Sequence, residues 1–436
     1  MNYPQHIIWH WVIAAVLLLN APVYADDAAE AAFAAAVKYT VKIETTVRQP
    51  TDPGDEPGVF TGAGFVVDER RGWVITNAHV TTRSPASIRL QFRNGAWIPA
   101  KRVYVDPYLD IAVLTAADPA GMHHVTAAAL ACEGFPAVGH PVGAFGHPWS
   151  LDFTGTRGIV AGVSDRYETG ALLTDAPIND GNSGGPLISL SSGKVVGVNT
   201  SAIDAKGVQN LNFAISLHYV CSILDLLRAG HDPSPPDRSL AFFADSEQTG
   251  TLKVARNFMP PGSIPLQPGD IIRAVVGEAG VITRKSEFVH ALRGRLDNVS
   301  LRVERAGTEL VLSGRLPAVE KILGRKIVSA SGVIFGQAHR FDATEINFSQ
   351  VAACQVEEGS LGESAGFEKC DAVESIDGEP LRDLEQVYRQ LAAAQAAEKP
   401  ASIVVKRVAG LQGKNFFAYH EISLPVEELE WVSVKE

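Results

Sequence analysis

Between Tyr39 and Leu217 the chain is a succession of short apolar runs divided by turn signals, and this constrains its fold more than any other feature. The runs include "TVKIETTV", "GAGFVVDERRGWVIT", "SIRLQF", "IAVLTA", "GIVAGVS", "PLISL", "KVVGVNT" and "NFAIS". Strands this short and this closely spaced bury their apolar faces only by stacking sheets or closing barrels, so the segment is predicted all-β. Asp68 to Gly72 is predicted to be a hairpin turn between two of them. Ahead of this region, residues 27–37 ("DAAEAAFAAAV") predict a short Ala-rich helix with an acid at its start. After it, His218 to Gly230 carry apolar residues at helical spacing and end in glycine. The stretch His231 to Ser239, with three prolines, reads as a linker.

The remainder holds two weakly similar units. "LQPGDIIRAVVGE" (Leu266 to Glu278) and "FEKCDAVESIDGE" (Phe367 to Glu379) are each followed by a helical stretch and two strand runs. An offset of about 100 residues describes tandem domains, because solenoid repeats run to roughly 20–50.

A chain of 436 residues with 46% hydrophobic and 20% charged residues is globular and long enough for several domains. Its net charge of -11 argues against nucleic acid or an anionic membrane as the main partner. Ile7 to Leu19 is apolar apart from His10 and leads to Val23-Tyr24-Ala25, the pattern of an export signal over residues 1–25. Residues 1–6 lack Lys and Arg, so a retained N-terminal anchor is the alternative; either way the body is exported. The four cysteines, Cys132, Cys221, Cys354 and Cys370, lack CxxC spacing, and no metal or other cofactor is expected. Sequence leaves their pairing open; Cys354 and Cys370 share one segment and form a candidate bridge, with free thiols as the alternative. His123-His124 offers a metal no third ligand and reads as surface loop.

"GNSGGPL", Gly181 to Leu187, carries the chemistry. It fits the G-x-S-x-G elbow, but that motif needs a following helix and a histidine later in the chain. Here "PLISL" is a strand, and no later histidine stands in a motif-like setting. The order His, Asp, Ser fits instead. "GWVITNAHV" places His79 just after an apolar strand, and "LDIAVL" places Asp110 at the mouth of another. Serine needs a base to take its proton, an imidazole titrates in the right range, and a carboxylate fixes its tautomer. Glycines flanking Ser183 let backbone N–H groups face a developing oxyanion.

With "TNAHV", "LDIAVL", "TDAPINDGNSGGPL", "GKVVGVNTSAI" and "LNFAIS", residues 38–228 resemble the HtrA (DegP-like) serine proteases. The resemblance implies a mainly β chain: a chymotrypsin/trypsin-like double β-barrel (26–232) followed by two PDZ-like α+β domains (238–318, degenerate, and 325–428). It implies a triad of His79, Asp110 and Ser183. The backbone N–H groups of Gly181 and Ser183 would form the oxyanion hole, with that of Asn182 turned aside. Thr174-Asp175 reads as loop support. Pro177, Ile178 and Asn179 would line the specificity pocket, with Thr200 and Phe213 on the opposite wall and no acid for a basic side chain. His147 is expected to be a solvent-facing loop residue. The loop "RQPTDPGDEPGVFT" looks too short to block neighbouring sites. Peptide carboxylates would bind near Leu240–Phe243 and Gly332–Phe335 if either unit is more than a spacer. Trimers are implied, with Phe33 and Tyr39 as exposed anchors. The function implied is ATP-independent cleavage of unfolded or misfolded polypeptides in the periplasm. The rival is a non-proteolytic chaperone or PDZ scaffold.

Overall fold

The structure, a computed structural model, describes residues 24–433 apart from 53, 107, 119–121, 123–124, 148–152, 165–169, 201–210, 237–239, 244–248, 279, 318, 320, 338–350 and 412–413. The apolar run of the expected signal and the His123-His124 pair lie outside the described residues. No helix among the described residues is long and apolar enough to cross a membrane.

Helix α1 (Tyr24–Ala36) precedes two closed six-stranded barrels. The first comprises β1 (Thr40–Val47), β2 (Gly58–Asp68), β3 (Trp73–Asn77), β4 (Ser87–Gln91), β5 (Trp97–Asp106) and β6 (Ile111–Ala116). All five residues of β3 are buried, the apolar Trp73, Val74 and Ile75 together with the polar Thr76 and Asn77. The barrel closes where β1 pairs with both β2 and β4. The predicted turn links β2 to β3, held by the Asp68 carboxylate on the Arg71 N–H and guanidinium. The second barrel comprises β7 (Pro141–Gly146), β8 (Thr154–Ser164), β9 (Ala171–Thr174), β10 (Pro186–Ser189), β11 (Val195–Thr200) and β12 (Asn212–Ser216). A helix α2 of one turn (Ala78–Thr81) follows β3, and α3 (Leu217–Arg228) follows β12. The Ser216 hydroxyl caps α3 by accepting from the His218 N–H, and the helix buries Leu217, Val220, Ile223 and Leu224.

One expectation fails in this region. Tyr39 is buried in the barrel core, so it is not an exposed anchor, and Phe33 is half-buried and stacks on Phe145 with ring centroids 5.9 Å apart. The disulfide joins Cys132 to Cys221 on α3, with Cα atoms 5.8 Å apart, and Cys354 and Cys370 are free. Cys354 packs with Ile327, Ile334 and Val432, whereas Cys370 stands exposed in a turn, so of the two alternatives left open the free thiols hold and the candidate bridge does not form.

The first C-terminal unit is a five-stranded sheet: β13 (Leu240–Phe242), β14 (Leu252–Asn257), β15 (Ile271–Val275), β16 (Val299–Arg305) and β17 (Thr308–Gly314), with α4 (Lys285–Ala291). The second has eight strands: β18 (Lys326–Ala330), β19 (Val333–Gln337), β20 (Val351–Val356), β21 (Ala372–Ile376), β22 (Glu379–Pro380), β23 (Ala401–Leu411), β24 (Lys414–Leu424) and β25 (Glu430–Ser433), with α5 (Leu361–Ala365) and α6 (Leu384–Ala396). Its sheet therefore runs past the expected boundary at 428.

The internal repeat is physical. Asp270 accepts from Arg305 Nε and Nη2 at 2.7 and 2.8 Å, and Asp371 accepts from Arg407 Nε and Nη2 at 2.6 and 2.7 Å. The residue before each acid has a left-handed backbone: Gly269 at φ 95° and Cys370 at φ 71°. Cysteine at the second position keeps the turn at a steric cost that glycine avoids.

In the second unit β19 lies between β18 and β20, and β25 takes the far edge of β18. With its backbone groups already paired on both sides, β19 cannot accept an added peptide strand at Gly332–Phe335. In the first unit β13 ends the sheet.

Candidate active site

Strands β3 and β6 pair antiparallel with Asn77 opposite Ile111. This register sets the residues just after β3 against the residue just before β6, and so brings His79 to Asp110. The Asp110 carbonyl accepts from the Ala78 N–H and the Asn77 side-chain amide, each at 3.0 Å. Its Oδ1 accepts from the His79 N–H at 2.9 Å, and its Oδ2 lies 2.7 Å from His79 Nδ1. Asp110 adopts φ 55°, a left-handed conformation that costs a non-glycine residue free energy and persists only where its surroundings hold it.

The His79 side chain is 44% exposed, yet desolvation by the protein around it opposes the imidazolium; the charge of Asp110 and its hydrogen bond outweigh this, so the His79 pKa is raised. Arg83 opposes the rise and Asp180 adds to it. Asp180 precedes Ser183 by three positions, so the serine loop lies within electrostatic reach of the imidazole.

Ser183 belongs to the second barrel's loop but is anchored on the first. Its carbonyl accepts from the Ala63 N–H of β2 at 2.8 Å, and the Ala63 carbonyl accepts from Thr76 Oγ1 of β3 at 2.7 Å. The loop turns through Gly181 (φ 96°) and Gly184 (φ 84°). The N–H of Asn182 donates to the Asn179 carbonyl, that of Gly184 to Asn199 and that of Gly185 to Asn182, at 2.9, 2.8 and 2.9 Å. Among the described residues the N–H groups of Gly181 and Ser183 donate no hydrogen bond. Two free N–H groups alternating with satisfied ones can receive an oxyanion.

The other expected residues divide. Thr174 and Asp175 tie β9 to β8: Thr174 Oγ1 donates to the Ile159 carbonyl and accepts from the Ala176 N–H, while Asp175 Oδ1 accepts from the Ile159 N–H. Pro177 and Asn179 are exposed beside the serine loop, whereas Ile178 packs into the second barrel's core with Val142, Val160 and Leu172. Thr200 and Phe213 are directly opposite on β11 and β12, so both point to one face, and both are half-buried. Residues 201–203 of the same wall lie outside the described residues.

His147 is buried, not solvent-facing. Its N–H donates to the Gly181 carbonyl at 3.1 Å, its Nδ1 accepts from the Phe153 N–H at 3.3 Å, and its ring meets Phe153 edge-on. It supports the serine loop from below. Sequence reasoning also missed Asp106, whose Oδ1 accepts from the N–H groups of Tyr108 and Leu109, each at 2.8 Å, in the turn that carries Asp110. The signal was an acid with a proline after it, just ahead of "YLDIAVL".

Residues 62–198 match the family model of the trypsin-like peptidase domain. The chain is 25% identical to the probable periplasmic serine endoprotease DegP-like of Brucella suis, covering 81% of this chain and 72% of that one. It is 26% identical to the periplasmic pH-dependent serine endoprotease DegQ of Escherichia coli, covering 83% and 80%. Among solved structures, the HtrA-type protease AlgW with tripeptide aligns with a TM-score of 0.52 at 23% identity, over 66% of this chain and 97% of that one. That last likeness is one of fold. Sequence relatives and a peptidase model agree with the paired barrels: the chain is similar to the HtrA/DegP-like serine proteases, and it is a serine endopeptidase.

Proposed function

We propose that Ser183 is the nucleophile, His79 its general base and Asp110 the group that orients and stabilises the imidazole. His79 Nε2 takes the Ser183 hydroxyl proton as Oγ bonds to the scissile carbonyl carbon. The carbonyl oxygen gains the negative charge and is received by the N–H groups of Gly181 and Ser183. As the C–N bond breaks, His79 returns the proton to the leaving amine, and an acyl-enzyme remains. Water attacks this ester by the same proton route and frees Ser183. One observation carries the reading: the 2.7 Å bond between His79 Nδ1 and Asp110 Oδ2, on a loop framework that leaves the two oxyanion N–H groups free.

The substrates are unfolded or misfolded polypeptides, and the site of action is the periplasm. Two relatives named periplasmic and the signal-like N-terminus support this. Peptide partners are assigned to the open edge of β13 in the first unit, where a strand can be added. The pocket beside Pro177 and Asn179 holds small aliphatic side chains: Asp175 is turned away onto the Ile159 N–H, so a buried Lys or Arg would lack a partner. Mapping casein fragments by mass spectrometry is expected to show cuts mainly after Val, Ile, Ala and Leu. Aliphatic side chains should differ by only about 1–3 kcal/mol. Cuts mainly after Lys and Arg would overturn the pocket, and an undigested casein the activity.

A base must be neutral to accept a proton. Since His79 has a raised pKa, it stays protonated to a higher pH than an ordinary imidazole. The acid limb of kcat/KM is therefore expected to have its midpoint above about 6.5. Asp110→Asn should move that midpoint down and lower kcat by about four orders of magnitude, through loss of the correct tautomer. A profile flat from neutrality to about pH 4 would remove His79 as the base.

A further inference from the structure

We infer that Arg293, in the first C-terminal unit, is a positioning residue for the reaction: through Asp106 it holds the turn that sets Asp110 against His79. The inference rests on the catalytic reading of that pair.

The contact joins two separate units. Arg293 follows α4, and its Nη1 donates to Asp106 Oδ2 at 2.5 Å, with both side chains fully buried. The same nitrogen donates to the Pro233 carbonyl at 2.8 Å and approaches the Tyr104 hydroxyl at 3.4 Å. Tyr104 in turn donates its O–H to Asp106 Oδ2 at 2.7 Å. The Asp106 carboxylate is thus divided. Oδ2 faces the guanidinium and the phenol, and Oδ1 holds the N–H groups of Tyr108 and Leu109.

A second path runs through an imidazole. Arg293 Nε donates to His290 Nδ1 at 3.0 Å, so that nitrogen is an acceptor. Burial, followed by the charges of Arg293 and His218, keeps the His290 pKa well below the usual range, and the ring is neutral. It stacks on Tyr219 of α3 with centroids 3.7 Å apart and meets the Tyr108 ring edge-on at 5.9 Å. Arg293 therefore touches both ends of the support beneath residues 108–110. Those residues end in Asp110 at φ 55°, which needs such support to persist.

Without the guanidinium, Asp106 would be an uncompensated buried charge. It would turn toward water, and its grip on the turn would weaken. The linker between the two C-terminal units adds to the same wall, because Ile322 packs with Ala78, Val105 and Ala112, beside His79 and Asp110.

The test uses the full chain and a short chromogenic peptide. Arg293→Met is expected to lower kcat roughly ten- to a hundredfold, with KM changed less than twofold. It should also broaden or abolish the low-field proton resonance of His79 Nδ1–H, and Arg293→Lys should recover much of both. Arg305→Gln, which breaks an ion pair inside the same unit away from the barrels, is the comparison. If Arg293→Met fails to fold, the double variant Asp106→Ala with Arg293→Met removes both buried charges together with the acceptor that holds the turn, and it should show the same loss. A folded variant with wild-type kcat and an unchanged resonance would overturn the inference, as would an equal loss in Arg305→Gln. Ser183→Ala run alongside separates the two readings. A dead Ser183→Ala beside a fully active Arg293→Met sinks only the positioning role, whereas an active Ser183→Ala sinks both.

Discussion

Replacing Ser183 by alanine is expected to abolish casein hydrolysis, with kcat lowered by about a millionfold. The residue left by the exchange still offers its backbone carbonyl to the Ala63 N–H, so the loop keeps its anchor on β2. Only a hydroxyl is lost. Thermal stability should therefore stay within about 0.5 kcal/mol of the parent, as for substitutions that remove no packing and no partner. Labelling by a fluorophosphonate should vanish with the activity. The three measurements separate a chemical role from a structural one. Retained hydrolysis, or retained labelling at another serine, would show that Ser183 is not the nucleophile.

Gly184→Ala is expected to be nearly as damaging, by a different route. Gly184 has φ 84°, and a Cβ there would lie 2.1 Å from Thr76 Oγ1 and 2.2 Å from the Ala63 carbonyl oxygen. Neither neighbour yields easily. The Thr76 hydroxyl donates to that same carbonyl, and both belong to barrel strands. The serine loop must move instead, and a shift of about 1 Å costs on the order of a hundredfold in rate. Left-handed strain and the clash together should remove at least about 2 kcal/mol of stability. Gly193→Ala supplies the contrast, since its φ of 70° is equally left-handed but nothing lies within 4 Å of the added carbon. That variant should lose about 1–2 kcal/mol of stability and keep its kcat. Equal kcat in the two glycine variants would mean that close approach at Gly184 does not position Ser183.

The catalytic candidates were readable because each sits in a local pattern and the three stand in a diagnostic order. His79 follows an apolar strand, Asp110 precedes one, and Ser183 lies among glycines. The strand runs likewise read correctly, since apolar residues in short alternating or continuous stretches can be buried only by sheets. Ile178 did not read correctly. Its neighbours Pro177 and Asn179 face outward, but the chain's path there turns the isoleucine into the barrel core. His147 was misjudged for the same reason, because burial of a loop residue depends on what packs above it.

The role of the loop between β1 and β2 was also hidden. The Asp52 carboxylate pairs with Arg325 of the second C-terminal unit at 2.9 Å, with both side chains buried, and Lys369 reaches Glu56 at 2.5 Å. Asp55 accepts from the N–H groups of Arg83 and Ser84, just beyond the helix that carries His79. The short acidic loop is thus a joint between units.

By itself the sequence determined the two β-rich barrels, the order of the three catalytic candidates and the repeated Gly/Cys-Asp turn of the C-terminal units. These follow from hydrophobic period, turn chemistry and short motifs, all of which act within a few residues of chain. The tertiary structure alone decided the Cys132–Cys221 bridge, the Asp106–Arg293 and Asp52–Arg325 pairs, and the closed edges of β19. The partners in these are 89, 187 and 273 residues apart for the bridge and the two ion pairs. A charge or thiol carries no local mark of its partner. Burial makes the pairing obligatory, and burial exists only once the units have docked.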